Sequence, residues 1–447
     1  MSDLEAPRLI TEVAGPKAQA IVQRSDRVVS PSLPRAYPLA VKRARGVMVE
    51  DVDGNRFLDC AAGIAVCSTG HCHPRVVKAI QDQAEHLLHI CGADFYDPMY
   101  IELSERLAGL APGDDAKRVF LANSGAEAVE AALKLARHYT GRPRVLAFFG
   151  AFHGRTMGAV SLTASKSVYH GGFGPLVPGI EHVPYAHCYR CVYNLTYPEC
   201  DMACVDYIED ILFSRSFPAD EVAAIFVEPV QGEGGYIVPP PSWLSRVRTL
   251  CDRHGILLVA DEIQSGMGRT GKMFAIEHWG VEPDIVCLAK ALGSGMPISA
   301  MIARDEIMNW PEGAHGSTFG GNPVCCAAAL ATLDVLEEEG LIENASRVGE
   351  RLLGNLRELA QESRSIGDVR GLGLMIGVEM VKDKETKSMA KEEANQVVSE
   401  CFRRGLLLLP CGPNSVRFSP PLVLTESQAD VAFEIFAQAL AEVEARQ

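Results

Sequence analysis

The chain has 447 residues, of which 47% are hydrophobic and 22% charged, and a formal net charge of −15. It is too long for one ordinary domain, too apolar for a disordered chain, and too acidic for a nucleic-acid partner, whose phosphates need a clustered basic face. No run of about 18 apolar residues marks a membrane span, and the first eight residues, with Asp3 and Glu5, read as neither a signal nor a transit peptide.

In chain order, residues 47–59 read as a hairpin turning at Asp53-Gly54. A short strand at 119–122 leads through Asn123-Ser124-Gly125 into a helix over 126–138. Short apolar runs bounded by charges, Gly or Pro follow at 144–149, 223–227, 256–260, 285–288 and 298–303. Helical patterns such as 243–254 lie between them, and this alternation predicts an α/β domain on a mostly parallel sheet. Pro239-Pro240-Pro241 reads as a loop. Residues 334–361 predict one long amphipathic helix, 371–379 a strand, 390–404 a helix and 415–423 an extended run. The expected organisation is an N-terminal segment, 1–70, packing with a small α+β domain, 334–447, around a large domain, 71–333.

Fourteen cysteines are expected as free thiols in a reducing cytosol. Four of them, Cys188, Cys191, Cys200 and Cys204, cluster in an insertion at 187–204. Their C-x2-C-x8-C-x3-C spacing leaves two readings, a small zinc site or a thiol-rich surface loop, and it matches no standard zinc template well.

The chemistry centres on Asp261 and Lys290. Asp261 ends the run 256–260, and a carboxylate at the tip of a buried strand needs a cation or donors. Lys290 ends the next run, 29 residues on. In a parallel sheet, ligands bind beyond the carboxyl ends of the strands. An amine and an acid on that rim suit pyridoxal phosphate, which needs a lysine for its Schiff base and a carboxylate to keep its pyridine nitrogen protonated. Taken singly, each residue reads more simply as a solvated charge or a helix cap. Ser124, Gly125 and Ala126, opening a helix, offer free N–H groups and a positive dipole end to a phosphate.

The block Leu258-Val259-Ala260-Asp261-Glu262-Ile263-Gln264-Ser265-Gly266-Met267-Gly268-Arg269-Thr270-Gly271, with Ala289-Lys290-Ala291-Leu292-Gly293, resembles the class III (ω-amino) aminotransferases of pyridoxal-phosphate fold type I, especially the 4-aminobutyrate aminotransferases. The resemblance runs from about Tyr37 to Leu424. It implies a seven-stranded-type sheet in the large domain and a homodimer with active sites at the subunit interface. It makes Lys290 the Schiff-base lysine and proton carrier, and Asp261 the pyridinium partner. Ile263 and Phe152 would sandwich the ring, and Gln264 would hydrogen-bond its phenolic oxygen. Ser124, Gly125 and Ala126 would hold the phosphate, and Thr318 would reach the phosphate of the partner subunit.

For substrates, Arg417 resembles the arginine that binds the α-carboxylate of glutamate or 2-oxoglutarate, and Glu228 the carboxylate that covers it. Arg155 matches the position that binds the distal carboxylate of 4-aminobutyrate, and Ile64 a pocket-wall residue. The implied reaction passes the amine of 4-aminobutyrate to 2-oxoglutarate. Ornithine- or acetylornithine-type transamination, and amino-acid racemisation or epimerisation, are the alternatives on the same scaffold.

Overall fold

The computed structural model describes residues 6–446. Seven strands form the central sheet: β4 (Lys117–Ala122), β5 (Arg144–Phe148), β6 (Ile180–Val183), β7 (Val222–Val227), β8 (Leu257–Asp261), β9 (Ile285–Leu288) and β10 (Ser299–Arg304), in the order β4-β10-β9-β8-β7-β5-β6. Five of them, from β6 through β9, pair in parallel. Every residue of β7, β8 and β9 is buried. Both faces of these strands are covered, which is why they read as continuous apolar runs rather than alternating ones. Ile225 and Val227 point into one core, which includes Trp243 and Leu244 of the helix Trp243–His254. Phe226 points into the other, against the helix Gly125–Thr140.

One strand departs from the parallel majority, and two expectations need revision. The run 298–303 is a strand, but β10 lies antiparallel to both β4 and β9. The helix expected over 334–361 is two helices, Pro323–Glu338 and Leu341–Glu362, because Gly340 adopts φ 63° between them. That left-handed turn favours glycine and ends a helix. The strand expected over 371–379 is a hairpin of β11 (Ile366–Leu372) and β12 (Met375–Asp383), turning through Gly373 at φ 52°.

The hairpin near the N-terminus is present as β2 (Met48–Asp51) and β3 (Arg56–Asp59), with β1 (Val41–Arg45) beside β2. β3 pairs in parallel with β14 (Leu406–Leu407), so the two ends of the chain share one sheet. A further sheet joins β11 and β12 to β16 (Ser415–Phe418) and β15 (Leu409–Cys411), with β13 (Ser388–Met389) also pairing with β12. Arg269 ties this end of the molecule to the central sheet. Its side chain is fully buried and donates to Leu374 O (3.1 Å), Pro420 O and Ser68 Oγ.

Gly349 shows how closely the helix Leu341–Glu362 approaches the Gly373 turn. A Cβ there would lie 2.0 Å from Gly373 O, whereas one at the exposed Gly354 of the same helix would meet nothing. Gly349→Ala is expected to destabilise the fold by at least about 1–3 kcal/mol. Gly354→Ala should stabilise it by about 0.5–1 kcal/mol. Parallel denaturation curves check both signs.

Candidate active site

The carboxyl ends of β7 and β8, the residues after β9, and the N-terminus of the helix Gly125–Thr140 surround a cleft of about 1100 Å³. The helix starts where it does because Ser124 and Glu127 cap it reciprocally: Glu127 N donates to Ser124 Oγ (3.4 Å), and Ser124 N to Glu127 Oε2 (3.0 Å). Its first N–H groups have no partner within the helix and face an anion's natural site. Ile263 packs directly on this turn, where a Cβ on Gly125 would lie 2.8 Å from Ile263 Cδ1. Glycine therefore brings the backbone and the apolar floor of the cleft together.

Asp261 closes β8 and is buried. Its Oδ1 accepts from Ile263 N (3.0 Å), and its Oδ2 lies 2.6 Å from His153 Nδ1. Burial pushes the His153 ring toward neutrality, but the bond to Asp261 outweighs it and raises the pKa. His153 Nε2 has no hydrogen-bond partner, so the ring serves Asp261 alone. Sequence pattern does not single out His153. The available signal was its place beside Phe152: in extended chain, neighbours point opposite ways, one into the cleft and one toward the strand tips.

Lys290 follows β9 and opens a short 3-10 turn with φ 46°, a left-handed conformation that is strained for lysine and common at functional sites. Burial lowers its ammonium pKa to about 8, partly opposed by Asp261. An amine that deprotonates near neutrality is a usable nucleophile and base. Gln264 also lines the cleft, and its Oε1 accepts from Tyr236 Oη at 2.9 Å, which fixes the amide. Phe152 lines the same cleft. Arg155 lies over the Tyr169 ring at 4.7 Å and the Phe152 ring at 5.9 Å.

The partner of Arg417 differs from the sequence expectation. Arg417, on β16, is paired with Glu233 (Nη1 to Oε2, 3.3 Å) and not with Glu228. Glu228 is engaged elsewhere: its carboxylate accepts from Phe152 N (3.0 Å) and Gly232 N (3.0 Å), and burial raises its pKa to about 7. A carboxylate that braces two backbone segments is not available to cover Arg417, and the carboxylate that does pair with it lies five residues further on. Glu233 sits in the turn Gly232-Glu233-Gly234-Gly235, where Lys166 Nζ also reaches it at 2.5 Å. A carboxylate flanked by three glycines is the signal that sequence reading passes over.

Ile64 is 43% exposed and outside the cleft of this chain, where Val66 is the lining residue. Thr318 is exposed on the segment before Gly320, likewise outside the cleft. Cys188, Cys191, Cys200 and Cys204 surround a separate small cavity with Tyr193 and Tyr197. Among the described residues, no group of three or more His, Cys, Asp or Glu is arranged to hold a metal ion. The thiols are free, and burial raises that of Cys204 to about 11.

The family model of the class III aminotransferases matches residues 31–440. An alanine/serine racemase of Pyrococcus horikoshii is 40% identical over 444 residues, covering 98% of this chain and 93% of its own. A 4-aminobutyrate aminotransferase of Mycobacterium tuberculosis is 41% identical over 447 residues, covering 98% and 99%. Among solved structures, an amine transaminase from an uncultivated Pseudomonas species, in its pyridoxal-phosphate-bound form, has a TM-score of 0.85 at 36% identity, covering 93% of this chain and 98% of that one.

The cofactor is pyridoxal phosphate, and the residues present fit it. A helix N-terminus faces one end of the cleft, a buried carboxylate with its own histidine faces the other, an apolar side chain lies between, and a strained lysine adjoins them. With the family model matched over nearly the whole length and relatives at about 40% identity spanning almost all of it, the chain belongs to the class III aminotransferases.

Proposed function

We propose that this aminotransferase takes its amine from an ω-amino donor, with 4-aminobutyrate the best candidate, and passes it to 2-oxoglutarate, forming succinate semialdehyde and glutamate. The observation that carries the reading is the Glu233–Arg417 pair. One pocket must accept an acceptor with an α-carboxylate and a donor without one. Arg417 binds the α-carboxylate with its planar fork. When the donor has none, Glu233 neutralises the buried guanidinium in its place. Arg155, stacked on Tyr169 at the cleft wall, is assigned to the donor's distal carboxylate.

Bound pyridoxal phosphate supplies a protonated ring into which the electron pair left at the substrate carbon drains. Asp261 keeps the proton on the ring nitrogen, and His153 holds Asp261 in place. Lys290 Nζ would hold the cofactor and would move the proton at the amine-bearing carbon. The N-terminal turn at Ser124, Gly125 and Ala126 holds the phosphate, Ile263 and Phe152 bracket the ring, and Gln264 reaches its phenolic oxygen. We assign Thr318 to the phosphate of the partner subunit, and Ile64 to the pocket wall, in a cytoplasmic homodimer. A racemase or epimerase would use the same lysine and aspartate, and a relative named as a racemase is as similar to this chain as the 4-aminobutyrate enzyme.

Adding 4-aminobutyrate to the holoenzyme without keto acid should abolish the visible absorbance of the lysine-bound cofactor, and 2-oxoglutarate should restore it. No spectral change with 4-aminobutyrate or any other ω-amine, together with loss of chirality of an L-amino acid in the absence of keto acid, would select the racemase. Lys290→Ala should abolish turnover in either case. Glu233→Gln should lower kcat/KM for 4-aminobutyrate by about tenfold or more, because Arg417 is then left buried and unpaired. The same variant should leave the glutamate half-reaction equal or faster. Stopped-flow absorbance of the two half-reactions measures both effects.

A further inference from the structure

The cysteine-rich segment 187–204 takes no part in the cleft, yet the chain just before it holds one end of the loop that carries Glu233, and the segment reaches the other end through Glu379 and Arg370. Just before the segment, Tyr185 Oη donates to Glu228 O (3.0 Å) and Pro229 O (3.1 Å), where the loop leaves β7. Within it, Arg190 Nε donates to Oε1 of Glu379 on β12. The other oxygen of Glu379 accepts from Arg370 Nη1 at 2.6 Å. Arg370 turns its remaining nitrogens to the far end of the loop, with Nη2 on Gly235 O (2.8 Å) and Nε on Tyr236 O (3.2 Å). Arg370 Nη2 also reaches Ser415 Oγ (3.2 Å), two residues from Arg417 on the same strand. Glu233 lies between these anchors.

Glu379 is 1% exposed, so its charge depends wholly on its neighbours. Burial pushes its carboxyl pKa up, but Arg370, His187 and Arg190 outweigh it and hold it below the ordinary carboxylate value. A buried carboxylate shared by two guanidiniums cannot lose one without redistributing the other. Without Arg190, the main counter-charge of Glu379 is Arg370, whose Nη1 also serves Asp368 Oδ2 (2.7 Å) and whose other nitrogens hold the carbonyls of Gly235 and Tyr236.

We propose that Arg190 is a positioning residue for substrate selection: through Glu379 and Arg370 it fixes the 232–236 loop, and so sets how firmly Glu233 holds Arg417. This rests on the reading of Glu233 and Arg417 as the selector. A loosened loop weakens their pair. An α-carboxylate then displaces Glu233 more easily, while a donor lacking one meets a poorly neutralised Arg417.

The test compares R190Q, R190K, E233Q and the R190Q/E233Q double variant as holoenzymes. The glutamate half-reaction and that of 4-aminobutyrate, or of another ω-amine without an α-carboxylate that the enzyme turns over, are followed separately by cofactor absorbance. R190Q should raise the ratio of kcat/KM for glutamate to that for the ω-amine by about three- to tenfold. R190K should raise it less, and both should keep the cofactor spectrum. In the E233Q background, R190Q should add nothing. An unchanged ratio in both Arg190 variants, an equal loss in both half-reactions, or an undiminished effect of R190Q in the E233Q background overturns the proposal. If R190Q yields no folded holoenzyme, R190K decides by the same ratio. An E233Q enzyme with an unchanged ratio removes the selector reading and this inference with it, whereas a shifted E233Q beside unshifted Arg190 variants removes the inference alone.

Discussion

A carboxylate taken out of water at the tip of β8 sets the terms for the site around it. Desolvating an ionised carboxylate costs several kcal/mol, and the charge persists only if donors and cations surround it. Asp261 meets this demand with His153 Nδ1, the backbone N–H of Ile263, and the nearby charge of Lys290. Each partner is fixed by a different element. His153 comes from the segment after β5, Ile263 from the turn after β8, and Lys290 from the end of β9. The parallel order β7-β8-β9 presents the strand tips on one rim, as such sheets generally do. The same carboxylate that helps hold those elements in register is the group a pyridinium nitrogen requires.

The strands were legible because burial on both faces writes an unbroken apolar run. Direction was not: β10 is buried like β9 except at Arg304, and only its pairing shows it to be antiparallel. The break between Glu338 and Leu341 was written in one residue, Gly340, inside a charged pattern that otherwise continues across it. At the site, Asp261 and Lys290 were legible because the strand ends and the motif order agree. His153 was not, because its role is to another side chain 108 residues away, which no local pattern encodes. Glu228 and Glu233 lie on one loop and differ only in which way they face, a property of the Gly-rich turn rather than of residue type. The four cysteines do line one cavity, but among the described residues no group of three or more His, Cys, Asp or Glu is arranged to hold a metal ion.

The selector depends on a second constraint, that a guanidinium buried as deeply as that of Arg417 must not be left without an anion. On the function proposed above, Glu233 would compete with the substrate's carboxylate for Arg417, and each α-carboxylate that binds would first replace it. Such a competitor has to be able to leave. Glu233 is less buried than Arg417 and already has a second partner in Lys166, at 2.5 Å. When it releases Arg417, its own charge is still met, and the exchange of partners leaves neither ion uncompensated. A more deeply buried carboxylate with no other cation would hold Arg417 too firmly for glutamate to enter. Glu228 has that character: it is buried, braced by two backbone N–H groups and has a pKa near neutrality, which suits it to hold the loop rather than to move with each substrate.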